Sequence, residues 1–195
     1  RKVHVIPHGV PPSLHASEGN GRVPELLFVG RLSPEKGLDL LLRALALLPL
    51  GLPFHLTVAG DGPSRHELEE LACDLGLNGR VAWLGFCEQT ADLLGGADVC
   101  VAPSRAESFG LAVIEAMAAG VPCVASCTGG IREMITNGVD GLLVAPDDPH
   151  ALAERLEEML TDGQMRRALG RAARDTALAR YSQQRMIRQT LDLLL

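Results

Sequence analysis

Aromatic side chains are scarce in this 195-residue chain, with Phe, Trp and Tyr together making up 3% of it. A surface that grips single-stranded nucleic acid needs aromatic platforms for stacking and a basic field for the phosphates. The chain has few of the first, and its formal net charge of −6 opposes the second, so nucleic acid is excluded as a partner. Lysine is rarer still: Lys2 and Lys36 stand against 16 arginines. No stretch approaches the ~20 apolar residues of a membrane-spanning helix, because the longest runs are broken by Asp39 and Arg43, or by Glu115. The five cysteines, Cys73, Cys87, Cys100, Cys123 and Cys127, form no C-x-x-C pair and have no companion His at ligand spacing. They read as reduced structural thiols of a reducing compartment. An initiator Met and a signal peptide are also lacking, and the chain runs from Arg1 straight into Val3-His4-Val5-Ile6-Pro7, as expected of a piece of a longer polypeptide.

What is present is a mixture of small aliphatics and turn formers: 47% apolar residues, 22% charged, 21 Gly and 12 Pro. That mixture suits helices layered on a buried sheet. Short β-like runs at 26–30, 55–60, 81–85, 99–103, 123–126 and 141–144 alternate with helical patterns at 36–48, 63–76, 88–95, 110–119, 130–137 and 149–161. Strands apolar on both sides and separated by helices predict a parallel sheet covered on two faces. The expected fold is therefore α/β, a Rossmann-like, doubly wound parallel six-stranded sheet in the order 3-2-1-4-5-6. Two additional C-terminal helices follow over 164–195, where Met165, Leu169, Ala173, Ala177 and Tyr181 form an apolar stripe at helical spacing. Residues 7–22, PHGVPPSLHASEGNGR, read as a lead-in linker. The division expected is a linker or hinge over 1–22 and one domain over 23–195.

In a sheet of this order ligands bind outside the carboxyl ends of strands 1 and 4, where the winding reverses. The loop after strand 1, Gly30-Arg31-Leu32-Ser33-Pro34-Glu35-Lys36-Gly37, brings two cations to that crevice. Arg31 through a planar fork and Lys36 as a point charge can neutralise a diphosphate. The loop after strand 4 carries Glu107 and then Ser108-Phe109-Gly110-Leu111 at the opening of a helix. With Ser108 as the N-cap, the backbone N–H groups of Phe109, Gly110 and Leu111 are expected to form an anion site with the helix dipole behind them. Glu115 is the only ionisable residue between Phe109 and Val121. A carboxylate on an otherwise apolar helix needs a partner, and ligand hydroxyls or nearby backbone and Arg donors both meet that need. No Asp-x-Asp pair occurs, and the cations with the helix dipole balance phosphate charge without a divalent metal. Asp147-Asp148 stands where it caps a helix, and Asp61 in Gly-Asp-Gly-Pro reads as a strand-to-helix turn residue.

The spacing Glu107-x7-Glu115 inside PSRAESFGLAVIEAMAAGVPCVAS, with GRLSPEKGLDLLLRA, VAGDGP, VAWLGF and TGGIREMITNGVDGLLV in this order, resembles the carboxy-terminal domain of the family 4 retaining glycosyltransferases. Those enzymes have the two-domain GT-B architecture, and the resemblance runs from Val5 to the terminal helices. It implies that Arg31 and Lys36 hold the donor's diphosphate together with Phe109, Gly110 and Leu111. It further implies that Glu115 bonds the ribose hydroxyls and that Glu107 is the catalytic residue facing the donor sugar. No cofactor is implied; the substrate is a nucleotide-diphosphate sugar such as a UDP- or GDP-sugar. His8 departs from the pattern, since relatives often carry Asn there, and it reads as part of the hinge turn.

The resemblance implies partners as well: a missing N-terminal acceptor-binding domain, and for the full-length enzyme a cytoplasmic location with peripheral contact at the membrane surface. A domain that binds donor without acceptor is expected to fold, to bind nucleotide weakly and to lack measurable transfer. The last helix, from Met186 onward, is expected to be partly unsupported, and Arg166, Arg167, Arg171, Arg174, Arg180, Arg185 and Arg188 to form a solvated face. Two alternatives remain at this point, a GT-B nucleotide-sugar epimerase and a non-catalytic nucleotide-binding module of dinucleotide type. The Glu107-x7-Glu115 pattern speaks against the first, and the absence of G-x-G-x-x-G after strand 1 weakens the second. A thermal-shift panel separates the module from the sugar-nucleotide readings, because a ligand that binds only the native state raises its midpoint. Nucleotide-diphosphate sugars are expected to raise it, and NAD and ATP to leave it in place.

Overall fold

The computed structural model describes residues 3–11 and 23–194. Most of the expected linker, together with Leu195, lies outside the described residues. Six strands form one sheet: β1 (Glu25–Val29), β2 (His55–Ala59), β3 (Val81–Gly85), β4 (Val99–Ala102), β5 (Cys123–Ser126) and β6 (Leu142–Val144). They lie in the order β3-β2-β1-β4-β5-β6, every neighbouring pair parallel. Eight helices accompany them: α1 (Leu38–Ala46), α2 (Arg65–Asp74), α3 (Ala91–Gly96), α4 (Leu111–Ala118), α5 (Ile131–Met134), α6 (Pro149–Thr161), α7 (Gly163–Arg180) and α8 (Gln183–Leu194). The doubly wound α/β sheet expected from the sequence is the fold observed.

Alternation along the strands builds two cores, one on each face. Successive residues of a strand point to opposite sides, so Leu26, Phe28, Val99, Val101 and Val124 pack with α1, α2 and α6, while Leu27, Cys100, Cys123 and Ala125 pack with α4, α5 and α7. Cys100 and Cys123 are register partners on β4 and β5. Their mutual hydrogen bonding and their burial hold the Cys123 thiol well above the usual cysteine range, which keeps it protonated and unreactive.

Three local features depart from the sequence reading. β3 has no buried residue, although every strand was expected to be covered on both sides. It is an edge strand whose Val81 and Trp83 pack on one core while Leu84 is exposed. The expected helix over 130–137 closes after Met134, because Asp140 accepts a bond from the Thr136 N–H at 2.6 Å and turns the chain toward β6. The helix expected from residue 36 begins at Leu38, preceded by a 3-10 turn over Pro34–Lys36.

The expected stripe on α7 is buried at Leu169, Ala173, Ala177 and Tyr181. The arginines expected to form a solvated face also make internal bonds: Arg166 donates to the Met159 and Leu160 carbonyls and Arg180 to the Glu133 carbonyl. Val10, within the stretch read as linker, is buried, and its backbone exchanges hydrogen bonds with Tyr181 and Gln183 at 2.8 and 3.0 Å. On α8 no residue is buried, and Ile187 and Leu191 are half exposed, as expected of an unsupported end. α7 crosses the end of α4 at Gly170, where any Cβ would collide with the Gly120 carbonyl. Gly170→Val is therefore expected to destabilise the fold by about 1–3 kcal/mol, the usual range for overpacking a close contact. Denaturant unfolding with an unchanged midpoint would refute that crossing.

Candidate functional site

β1 and β4 are neighbours whose chains leave toward opposite faces, so a crevice opens at their carboxyl ends. The 3-10 turn after β1 and the loop after β4 form its walls. Gly37, in the left-handed region at φ 68°, lies so close to the Pro103 carbonyl that a Cβ would collide with it. Between the walls is a cleft of about 440 Å³. The residues assigned to donor binding and catalysis from the sequence all line it: Arg31, Lys36, Glu107, Phe109, Gly110, Leu111 and Glu115.

Lys36 Nζ donates to Glu107 Oε2 at 2.6 Å, and the two side chains keep 28% and 14% of their exposure. The sequence reading treated these groups separately, one for phosphate and one for sugar; the structure shows them as an ion pair. Arg31 is exposed at the mouth. Glu115 is half-buried, and its Oε2 accepts from the Thr90 hydroxyl at 3.2 Å. The partner foreseen for this carboxylate as backbone or arginine is thus a hydroxyl from the turn before α3.

Ser108 is not the N-cap. Gly110, at φ 98°, occupies that position with no side-chain hydrogen bond to the helix. α4 therefore opens on the cleft with first-turn N–H groups that no side chain caps, which is the arrangement that receives anions. Phe109 is held between two rings, His8 at 5.4 Å and Tyr181 at 6.4 Å edge-on. His8, read as a hinge-turn residue, thus borders the cleft. Asp61 accepts from the Gly62 N–H at 2.7 Å as a turn residue does. It faces a second hollow, which shares Gly30 and Arg31 with the cleft and is bordered by Phe86 and Cys87.

Sequence reasoning missed Arg105. Its guanidinium grips both oxygens of Asp39 at 2.7 Å, Asp147 at 2.6 Å and the Pro34 carbonyl at 2.7 Å. Burial pushes the Asp39 carboxyl up, but the hydrogen bonds and charge of Arg105 outweigh it and hold the group below the usual carboxylate range. Of the Asp147-Asp148 pair, only Asp148 caps, accepting from Ala151 N at the start of α6.

A family profile described as "Glycosyl transferases group 1" matches residues 13–176. An uncharacterized glycosyltransferase of Methanocaldococcus jannaschii is 36% identical over 169 residues, covering 86% of this chain and 43% of the relative. A D-inositol 3-phosphate glycosyltransferase of Frankia alni is 42% identical over 165 residues, covering 76% of this chain and 40% of the relative. This chain thus spans about two fifths of the length of those two relatives. Among solved structures, Anabaena HepE in complex with UDP and glucose superposes with a TM-score of 0.90 at 27% identity, covering 98% of this chain and 56% of that one. Sucrose-phosphate synthase from Thermosynechococcus elongatus does so with 0.89 at 32% identity, covering 98% and 51%.

The Arg105–Asp39 contact, which ties the loop after β4 to α1, is sensitive to acid. Asp39 has a depressed folded pKa, so its contribution to stability is complete above the unfolded value of about 3.9 and disappears as pH falls through the folded value. The difference in thermal midpoint between the wild type and Asp39→Asn is expected to be full at pH 6 and to close toward pH 2. A difference independent of pH would show that the carboxylate charge is not what Arg105 uses.

Proposed function

The chain belongs to the group 1 glycosyl transferases, and from that membership we propose that it binds the donor of a sugar transfer, a nucleotide-diphosphate sugar, in the cleft between β1 and β4. The observation that carries this reading is the convergence of Arg31, Lys36, Glu107, Glu115 and the opening of α4 on one cleft. A UDP-sugar is the donor class we favour, supported by the likeness to HepE, which was solved with UDP and glucose and with UDP-glucose. The whole protein would move the sugar from that donor to an acceptor hydroxyl held on a further domain. Retention at the anomeric carbon and assignment to family 4 rest on the resemblance of the Glu107-x7-Glu115 stretch. Transfer without a metal rests on the donor set: two cations and a helix N-terminus face the place where diphosphate charge develops. Preorganised donors of that kind stabilise a departing anion strongly.

In this reading Arg31, Lys36 and the N–H groups of Phe109, Gly110 and Leu111 hold the diphosphate, Glu115 accepts from the ribose hydroxyls, and Glu107 faces the sugar. The hollow beside Phe86 and Cys87 is the space left for the base. An incoming diphosphate competes with Glu107 for Lys36, so binding exchanges an internal ion pair for a ligand contact and frees the carboxylate toward the sugar. Membership of a transferase family favours transfer over epimerisation and over a non-catalytic module. No helix among the described residues is long and apolar enough to cross a membrane; the cytoplasm, with peripheral membrane contact by the whole enzyme, is the location we propose.

Calorimetry with UDP and UDP-glucose tests these roles. Arg31→Ala and Lys36→Ala are each expected to weaken both ligands by about 1.5–3 kcal/mol, the value of a charge-assisted hydrogen bond. Glu115→Gln is expected to weaken both, since both carry ribose. Glu107→Gln, which releases Lys36, is expected to leave UDP bound no more weakly than before while weakening UDP-glucose. Wild-type affinities in the Arg31, Lys36 double variant would remove the cleft as a diphosphate site.

A further inference from the structure

Arg105 stands two residues before Glu107, and its bonds converge on the turn that carries Lys36. That turn, Pro34–Lys36, buries no residue of its own. Its carbonyls are tied to the loop after β4. The Pro34 carbonyl accepts from Arg105 Nη1 at 2.7 Å, and the Glu35 carbonyl accepts from the backbone N–H groups of Arg105 and Ala106 at 2.8 and 3.3 Å. The next rung is the 2.6 Å pair between Lys36 and Glu107. The same guanidinium grips Asp39 in α1 with its fork and turns Nε to Asp147 on the loop between β6 and α6. Asp147 holds φ 59°, the only positive φ outside glycine among the described residues, a conformation that costs energy and that surrounding contacts must maintain.

We propose that Arg105 is a positioning residue of the cleft, whose guanidinium fixes the turn that carries Lys36 and thereby places its ammonium where the donor's diphosphate would bind. The proposal rests on the donor-binding reading above. It joins three loops, those after β1, β4 and β6, through one planar group. Isolated surface ion pairs contribute little, yet a bidentate arginine with a third carboxylate and a carbonyl is the geometry that does orient its neighbours. Lysine offers no fork and no Nε, so it cannot occupy all four acceptors in this arrangement. The side chain of Arg105 does not line the cleft; its effect passes through Lys36.

The test uses two readouts on the same variants. UDP affinity is measured by calorimetry, and the reactivity of Lys36 toward an amine-labelling reagent is measured by peptide mass spectrometry, with the chain's only other lysine, Lys2, as internal reference. Arg105→Ala and Arg105→Lys are expected to weaken UDP at least tenfold and to raise Lys36 labelling several-fold, because the turn no longer keeps the ammonium inside the cleft, where the diphosphate would meet it. Leu160→Ala, a buried residue of α6 remote from these bonds, lowers the thermal midpoint without either change and so separates positioning from general destabilisation. Lys36→Ala serves as the reference for the donor site. Wild-type UDP affinity and labelling in both Arg105 variants, with Lys36→Ala still impaired, would overturn the positioning role and leave the donor reading standing. Wild-type affinity in Lys36→Ala as well would overturn both.

Discussion

The pairing of β1 with β4, two parallel neighbours whose chains depart to opposite faces, is the constraint on which the site depends. β1 leads to α1 on the face packed with α2 and α6, and β4 leads to α4 on the face packed with α5 and α7. Neither following helix can cover the carboxyl ends of both strands, so polar loops rather than core residues border the gap. The sequence spends its few special residues there. Gly37 allows the first loop to touch the Pro103 carbonyl, and Gly110 at φ 98° opens α4 toward the gap with no side-chain cap.

Inside the cleft, both carboxylates have a hydrogen-bond partner before any ligand arrives. A half-buried carboxylate without a partner is costly, and both glutamates have one: Lys36 for Glu107 and Thr90 for Glu115. The two arrangements differ in what a ligand must do. In the proposed reading, ribose hydroxyls would share Glu115 with a neutral hydroxyl donor, whereas a diphosphate would have to take Lys36 from Glu107. In the proposed reading the second exchange delivers a free carboxylate to the sugar at the moment the donor is seated, which couples phosphate recognition to the catalytic group.

The far end of the chain shows how a segment without a core of its own is held. α8 buries none of its residues, yet its start is fixed because Val10 inserts into the core beside Tyr181 and bonds the backbone on either side of Ser182. Tyr181 in turn meets Phe109 edge-on, and Phe109 meets His8. A short extended segment, the α7–α8 junction and the mouth of the cleft thus share one set of contacts.

Local pattern determined much of this protein. Short runs apolar on both sides located all six strands to within about two residues, and their alternation with helical segments implied the parallel, doubly wound order. The expected order 3-2-1-4-5-6 marked the cleft at the loops after strands 1 and 4, because which strand ends lie beside a winding reversal follows from strand order alone. What the chain could not show was pairing between loops. Arg105 finds Asp39 and Asp147 at separations of 66 and 42 residues, and Lys36 finds Glu107 at 71. Ser108 suited the N-cap by residue type, but the turn geometry that gave the position to Gly110 depends on how the loop after β4 meets α5. Periodicity is a property of neighbours in the chain, whereas a hydrogen bond across 66 residues exists only after the sheet has aligned its strands and set the loops face to face.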